Sequence, residues 1–301
     1  MHILVAGHAV FWPGLALLGL AVGYIAGMFG IGGGFLLTPL LNIVFGIPMA
    51  IAVGSALCQK IGTSIGSFLK HRQYRHGEPR IDWVMLGGSM VGVDAGARTL
   101  NWLSHAGAVM INGRSLPLVT LVLDGCYALL LGGSALASIL AAVRAERGEP
   151  VRAGHKPLLL RVRLPPYISF PSVGIERASV ITMAYIGFVT GVLSGLLGIG
   201  GGVVLLPVLI YGYGMSIKDA AGTGILLLFA TVTVGTIEHA WLGNVDLRVA
   251  LAILAGSSVG AQLGARSTSR LSNRALRIAF AALLLGTVAA IGGDMVHTIT
   301  R

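Results

Sequence analysis

The 301 residues of the chain are 55% hydrophobic and only 11% charged, whereas a soluble domain carries roughly a quarter charged residues. The formal net charge of +10 comes from basic residues in short clusters between long apolar runs, which is not the surface patch of a nucleic-acid-binding domain. Several of these runs approach the roughly 20 residues that cross a bilayer. Composition therefore excludes a soluble protein and predicts a multi-pass membrane protein.

The apolar segments form two groups of four along the chain. In the first half they cover residues 14–46, 50–70, 83–100 and 116–143. In the second half they cover residues 179–211, 217–239, 247–266 and 275–293. These segments lack sustained alternation of period two, so helices are favoured over a β-barrel. We therefore predict an all-α membrane protein.

The two halves descend from one repeat. The segment GLAVGYIAGMFGIGGGFLLTPLL begins at Gly19, and GFVTGVLSGLLGIGGGVVLLPVL begins at Gly187, an offset of 168 residues. The same offset joins further residues, namely Pro39 to Pro207, Ser55 to Thr223, Thr63 to Thr231, and His71 to His239. The sequence predicts a first transmembrane repeat at 14–143 and a second at 179–293. A basic, Pro-rich cytoplasmic linker at 144–178 separates them.

The leading segment of each repeat contains Gly-Ile-Gly-Gly-Gly in its middle. Each glycine costs about 1 kcal/mol relative to alanine inside a helix. A break within the membrane also exposes backbone groups that protein or a wet cavity must satisfy. We therefore predict either a broken helix or a re-entrant hairpin at residues 30–34 and 198–202. Upstream, glycines recur every fourth residue, which predicts a smooth ridge for close helix packing.

The basic clusters bear on topology. They lie at residues 70–80, 144–163 and 266–277, and the positive-inside rule assigns all three to the cytoplasm. The three basic loops can all be cytoplasmic only if segment 179–211 ends on the side of the membrane where it begins. If segment 14–46 does the same, the two repeats are inverted relative to each other, which is a common plan in transporters.

The glycine runs are candidates for an anion site, because a helix start offers free N–H groups and a positive dipole end. The predicted substrate-binding glycines are Gly32, Gly33, Gly34, Gly200, Gly201 and Gly202. Ser55 and Thr223 would add hydroxyl donors. Alternatively, the glycines only allow helices to cross. A nucleotide-binding loop is excluded, because neither run is followed by the required Lys-Ser/Thr.

Lys60 lies in the middle of segment 50–70, roughly 15 Å from either membrane surface. A lysine at that depth cannot easily reach water by snorkelling. It is either a counter-charge for an anionic substrate, aided by Gln59, or the partner of an intramembrane carboxylate such as Asp94 or Asp124.

Four residues are candidates for proton coupling. Asp124 has no local partner and is the stronger proton-relay candidate. Asp94 lies four residues before Arg98, so a local pair is its simpler interpretation. His71 and His239 stand at segment ends and are either functional or interfacial. Asp82 and Asp246 are offset by 164 rather than 168 residues, which predicts one helical turn of slippage in that loop.

No enzymatic chemistry is predicted. The sequence has no Cys/His cluster with metal-site spacing and no nucleophile, histidine and acid grouping for hydrolysis. We expect neither a cofactor nor a metal, and no disulfide between Cys58 and Cys126. The expected partners are a small anion and the lipid bilayer, with homo-oligomerisation left open and no nucleic acid.

The paired glycine segments, the two Gly-Ala-Arg ends at 96–98 and 264–266, and the two histidines resemble the TauE/SafE family of sulfite and organosulfonate exporters. The resemblance covers nearly the whole chain. It implies an ion-coupled secondary transporter in a bacterial-type inner membrane, exporting a small sulfur-containing anion such as sulfite or an organosulfonate. The alternatives are a passive anion channel and a transporter of an unrelated small anion.

Overall fold

The computed structural model of the chain describes residues 2–5, 8–29, 34–74, 77–111, 114–146, 158–162, 164–215, 217–268 and 273–300. Its architecture is almost entirely helical. The helices of the first half are α1 (Trp12–Phe29), α2 (Gly34–Phe45), α3 (Met49–Tyr74), α4 (Pro79–His105) and α5 (Leu118–Glu146). Those of the second half are α6 (Val180–Leu197), α7 (Gly202–Pro207), α8 (Ile217–Gly222), α9 (Ile225–Trp241), α10 (Leu247–Thr268) and α11 (Asn273–Thr300).

Among the residues that the structure describes, three helical stretches are long and apolar enough to cross a membrane by length and composition: Leu118–Leu136, Val180–Leu197 and Leu247–Gly264. Five shorter apolar stretches accompany them: Trp12–Met28, Phe35–Phe45, Met49–Ile65, Ile225–Trp241 and Ala281–Val296. Exposed large apolar side chains lie along these helices, as expected where a helix faces lipid rather than water. The fold is thus consistent with the membrane class that composition predicts.

The described residues also form three short antiparallel strand pairs that the sequence did not predict; one precedes α1 and two lie between helices. They are formed by β1 (His2–Val5) with β2 (His8–Phe11), β3 (Ala108–Ile111) with β4 (Arg114–Pro117), and β5 (Tyr167–Phe170) with β6 (Ile175–Ser179). The last hairpin lies within the predicted linker. Phe170 and Ile175 are buried in one apolar cluster with Met85, so this part of the linker packs against α4.

Glycine ridges bring α1 against α10. A Cβ on Gly19, Gly23 or Gly27 would overlap the backbone of Ile253, Ser257 or Ala261, respectively. Both series ascend together, so the two helices run in parallel. Glycines of α10 make the reciprocal approach, because a Cβ on Gly256 or Gly260 would overlap the backbone of α1. Only residues without side chains allow two helices to come this close.

The second half repeats this packing with the partners exchanged. In α6, a Cβ on Gly187 or Gly191 would overlap the backbone of Met85 or Ser89 in α4. In α4, glycines 88, 92 and 96 approach the backbone of α6 in return. The leading helix of each half therefore packs against the third segment of the other half, and the two halves are interlocked.

The central helices α3 and α9 cross in opposite directions. Gly54 of α3 lies beside His239 near the end of α9, and Leu57 lies beside Gly235, one turn earlier in α9. Helices α5 and α11 are also antiparallel, because Asp124 in the second turn of α5 shares a cleft with Asp294 in the last turns of α11. Each of these two pairs joins corresponding segments of the two halves.

Two reciprocal hydrogen bonds join the loops of the two halves. Asp246 N donates to Ser55 Oγ over 3.0 Å, and Glu78 N donates to Thr223 Oγ1 over 2.8 Å. The carboxylates of Glu78 and Asp246 each accept from amides in the first turn of the helix that follows, α4 and α10. Glu78 and Asp246 differ by 168 in number, so the predicted slippage of one helical turn in this loop is wrong. The misleading residue was Asp82, which has a different partner.

Asp82 caps a helix of the opposite half. Its carboxylate accepts from Gly224 N over 2.7 Å at the start of α9, and it is 2% exposed. Ser172, in the turn between β5 and β6, contacts the Glu78 carboxylate. The hairpin before α6 and the start of α9 therefore both lie close to the N-terminus of α4.

Candidate functional site

The second glycine run forms a tight turn between two helices. Helix α6 ends at Leu197 and α7 begins at Gly202. Gly198, Gly200 and Gly201 have φ values of 69°, 70° and 77°, a left-handed conformation that glycine adopts without the strain a Cβ causes. We call residues 198–201 the glycine turn. The corresponding residues 30–33 of the first half lie outside the described residues.

Three side chains from three helices bind the carbonyl groups at the end of α6. Lys60 Nζ of α3 donates to Gly198 O over 2.7 Å. His239 Nε2 of α9 lies 2.8 Å from Gly195 O, and the Tyr127 hydroxyl of α5 donates to Leu197 O. The last carbonyls of a helix have no intrahelical partner. These donors satisfy them where the chain leaves the helix.

The amide groups of the glycine turn are in the opposite situation. Gly198 N donates to Ser194 O, and the amides of Val204 and Leu205 donate to Gly201 O. The amides of Gly200 and Gly201 have no hydrogen-bond acceptor within the part of the chain that the structure describes. Gly198 O and Gly201 O therefore have donors, whereas the amides of Gly200 and Gly201 lack acceptors, and these two N–H groups favour an anion as the ligand.

Lys60 places a positive charge beside these amides. A Cβ built on Gly200 would lie 3.2 Å from Lys60 Nζ, and the lysine side chain is 3% exposed. A small cleft, with room for about one water molecule, opens at Gly200 and Gly201. Its other lining residues are Thr190, Leu205, Leu227, Leu228 and Thr231. The cleft is thus mostly apolar, and the Lys60 ammonium lies beside Gly200 at its edge.

Neither carboxylate considered for Lys60 forms an ion pair with it. Asp94 pairs with Arg98 over 2.7 Å, so the predicted local pair is confirmed. Asp124 lies in a separate cleft between α5 and α11. Among the described residues, the observed partner of the Lys60 ammonium is a neutral carbonyl group.

Three other predicted substrate-binding residues have partners elsewhere. The hydroxyl oxygens of Ser55 and Thr223 accept the loop amides of Asp246 and Glu78. Gln59 Nε2 donates to Ser257 Oγ of α10 over 2.7 Å, so Gln59 and Lys60 contact different helices. These contacts hold the two halves together, and a role in substrate binding stays a prediction for all three residues.

His239 differs from the expectation of an interfacial position. His239 is 0% exposed, and its Nδ1 has no partner within the described residues. The interfacial interpretation of His239 is therefore wrong, because the antiparallel crossing of α3 and α9 buries the end of α9. His71 lies within α3, and its side chain is outside what the structure describes. Among the predicted glycines, Gly34 and Gly202 begin α2 and α7.

Sequence reasoning missed Tyr127, although its contact with Leu197 completes the set of donors at the end of α6. A useful signal was present, because Tyr127 is a polar side chain one helical turn beyond Asp124 in an otherwise apolar segment. Thr190 was also missed. It has no counterpart in the first half, where Val22 stands at the matching position.

A sequence profile described as "Sulfite exporter TauE/SafE" matches residues 15–291, which is nearly the whole chain. The chain belongs to the TauE/SafE family. The TauE/SafE match includes the glycine turn, Lys60, Tyr127 and His239, and it ends before Asp294. No solved structure matches the chain at a significant level.

Curated relatives agree with the family assignment. "Probable membrane transporter protein YjnA" of Bacillus subtilis is 29% identical over 90% of this chain and 96% of its own length. "Probable membrane transporter protein YunE" of the same organism is 25% identical over 87% and 90%. MJ0441 of Methanocaldococcus jannaschii, with the same description, is 25% identical over 90% and 92%. Together with the apolar helices, this TauE/SafE membership identifies a multi-pass membrane transporter.

Proposed function

We propose that this protein is a secondary transporter that exports a small sulfur-containing anion, such as sulfite or an organosulfonate, across a bacterial-type inner membrane. The family description names sulfite export, and the relatives are described as membrane transporters. The assignment of substrate class rests on that description together with the chemistry of the glycine turn.

The single observation that carries the proposal is the Lys60 ammonium beside the unpartnered amides of Gly200 and Gly201. Sulfite and sulfonate groups present several oxygen atoms that accept hydrogen bonds and carry negative charge. Donors held in place by a folded backbone bind such an anion without first being reoriented. The same low-dielectric surroundings make a charge-assisted hydrogen bond stronger than it is in water.

The side chains that bind the carbonyl groups at the end of α6 also favour an anion over a cation. Unpartnered carbonyls would attract cations, but His239, Tyr127 and Lys60 occupy those at the end of α6. Lys60 has three N–H groups, and the structure shows one of them on Gly198 O. The other N–H groups of Lys60 could donate to an anion that binds beside Gly200.

We also infer that residues 14–143 and 179–293 are inverted repeats. The reciprocal ridges, the exchanged loop hydrogen bonds and the antiparallel pairs α3–α9 and α5–α11 support a two-fold relation perpendicular to the helices. Inverted repeats with interrupted helices at their interface are a recurring transporter architecture.

Flux measurements in proteoliposomes test the proposal. Sulfite, thiosulfate, sulfoacetate and sulfate are loaded in turn, and their release is followed with and without a pH gradient. We expect at least one of the first three anions to move faster than in protein-free liposomes, with a rate that depends on the gradient. A flux that ignores the gradient would instead indicate a passive anion channel. Absence of flux for every sulfur-containing anion would exclude the proposed substrate class.

A further inference from the structure

A second cleft lies between α5 and α11. One of its lining residues, Asp124, precedes Tyr127 by three residues in α5. The cleft has room for about two water molecules, and its polar lining consists of Asp124 and Thr120 from α5 and Asp294 from α11. Asp124 is 6% exposed, and its Oδ1 has no hydrogen-bond partner among the described residues. A buried, unpartnered carboxylate oxygen thus lines a space that also contains a second carboxyl group.

A charge on Asp124 is costly in this cleft. Burial disfavours the ionised form of Asp124, and the second carboxyl group in the cleft adds like-charge repulsion. Within the described residues no cation forms an ion pair with Asp124. The nearby titratable groups on its own helix, Cys126 and Tyr127, are of types that carry no charge at neutral pH. One proton bound between the two carboxyl groups removes one negative charge and provides a donor for the unpartnered oxygen.

Tyr127 connects this cleft to the glycine turn. Asp124 and Tyr127 are three residues apart and lie on the same face of α5. The Tyr127 hydroxyl binds Leu197 O, the last residue of α6 before the turn. A change of charge at Asp124 therefore occurs one helical turn from Tyr127, whose hydroxyl binds the end of α6.

We propose that Asp124 and Asp294 together form a proton-binding site, occupied by one shared proton, that couples proton movement to the turn at the end of α6. The proton is taken from water by a carboxylate oxygen and is returned to water when the cleft faces the other side. No other bond is made or broken. The coupling part of this inference rests on the proposed transport function, whereas proton binding by the pair does not.

Carbodiimide labelling tests the site without any substrate. Dicyclohexylcarbodiimide reacts with protonated carboxyl groups in apolar surroundings, and mass spectrometry locates the label. In purified protein at pH 7 we expect label on Asp124 or Asp294. Asp294→Asn should reduce labelling of Asp124 at least about tenfold, which corresponds to one pH unit of proton affinity. Asp294→Glu should retain the labelling of Asp124, because it keeps a carboxyl group. This variant therefore distinguishes a requirement for a carboxyl group from an effect of misfolding. Glu176→Gln, which changes an exposed carboxyl group on β6, is the control and should leave the labelling unchanged.

Absence of label from both aspartates in the wild-type protein, or equal labelling of Asp124 in wild type and Asp294→Asn, would overturn the site. Proteoliposome flux of sulfite separates the site from the transport proposal. If the aspartates label as expected but no anion moves, the transport proposal fails and the proton site stands. If sulfite moves and Asp124→Asn retains the full acceleration by a pH gradient, the coupling role is wrong.

Discussion

Lys60 Nζ donates to Gly198 O over 2.7 Å and thereby joins the middle of α3 in one half to the end of α6 in the other. The lysine is buried, and its observed partner is neutral. A buried ammonium without a carboxylate is costly in a membrane unless a cavity or a ligand compensates it. In this protein the contact places the positive charge beside Gly200, whose amide has no acceptor among the described residues.

We expect Lys60→Met to weaken binding of an anionic substrate by about tenfold to a hundredfold, because a hydrogen bond to a charged group contributes about 1.5–3 kcal/mol. The measurement is calorimetric titration of the purified protein with sulfite, thiosulfate and sulfoacetate. Leu57→Met, one turn earlier on the same helix, is the matched control and should change affinity less than twofold, as a rough estimate for a volume-conserving change. Equal affinities for wild type and Lys60→Met would reduce Lys60 to a structural residue.

The glycine ridge makes a prediction about stability alone. A methyl group at Gly19 would overlap the backbone of Ile253 and force α1 away from α10. Gly19→Ala should therefore destabilise the protein by at least about 1–3 kcal/mol, the usual cost of overpacking. Gly133 on α5 has open space around its Cα, so Gly133→Ala should be neutral or stabilising by up to about 1 kcal/mol. Thermal unfolding in detergent compares the two variants, and similar melting temperatures would contradict the observed ridge contact.

Thr223→Val tests the reciprocal loop bonds. The valine keeps the shape of the side chain but leaves Glu78 N without its observed acceptor. Loss of one buried partner costs about 1–3 kcal/mol, so we expect a lower melting temperature with substrate affinity reduced by much less than in Lys60→Met. Ser55→Ala should behave in the same way, because the amide of Asp246, in the loop before α10, donates to Ser55 of α3. A large loss of affinity at unchanged stability would instead support the predicted substrate contact.

The inverted arrangement can be tested with two arginines that differ by 168 in number. Arg80 and Arg248 are both exposed in the first turns of α4 and α10. In a background with Cys58→Ser and Cys126→Ser, Arg80→Cys and Arg248→Cys are labelled with a membrane-impermeant maleimide in intact cells and in inverted vesicles. Inverted repeats predict labelling from opposite sides, with position 80 cytoplasmic. Labelling of both positions from the same side would indicate parallel repeats.

Local patterns predicted the features that depend on local sequence. The apolar segments correspond to helices, and the spacing of Asp94 and Arg98 predicted their ion pair, because both partners lie on one helical face. The positions of the glycine runs also drew attention to the turn after Leu197. In each case the relevant neighbours are a few residues apart in the chain.

Contacts between the two halves could not be predicted in this way. Lys60 lies 138 residues from Gly198, and Asp82 lies 142 residues from Gly224. Their pairing depends on how the helices cross, which composition and periodicity do not specify. The sequence therefore singled out Lys60 without its partner, and it gave no sign that Tyr127 binds the end of α6. It also misplaced His239, because a residue near a segment end is buried wherever another helix covers that end.

The central claim is that the amides of the glycine turn bind the transported anion, and Gly201→Ala tests it most directly. The nearest atoms to a Cβ at Gly201 belong to Thr190 at 3.7 Å, so the methyl group meets no obstacle in the protein. It does penalise the left-handed backbone, at φ 77°, by roughly 1–2 kcal/mol. The measurement is calorimetric titration of Gly201→Ala, Gly133→Ala and wild type with sulfite, thiosulfate and sulfoacetate. The account predicts binding of at least one anion by wild type and Gly133→Ala, and affinity at least about tenfold weaker in folded Gly201→Ala. Equal affinity in all three proteins would contradict it.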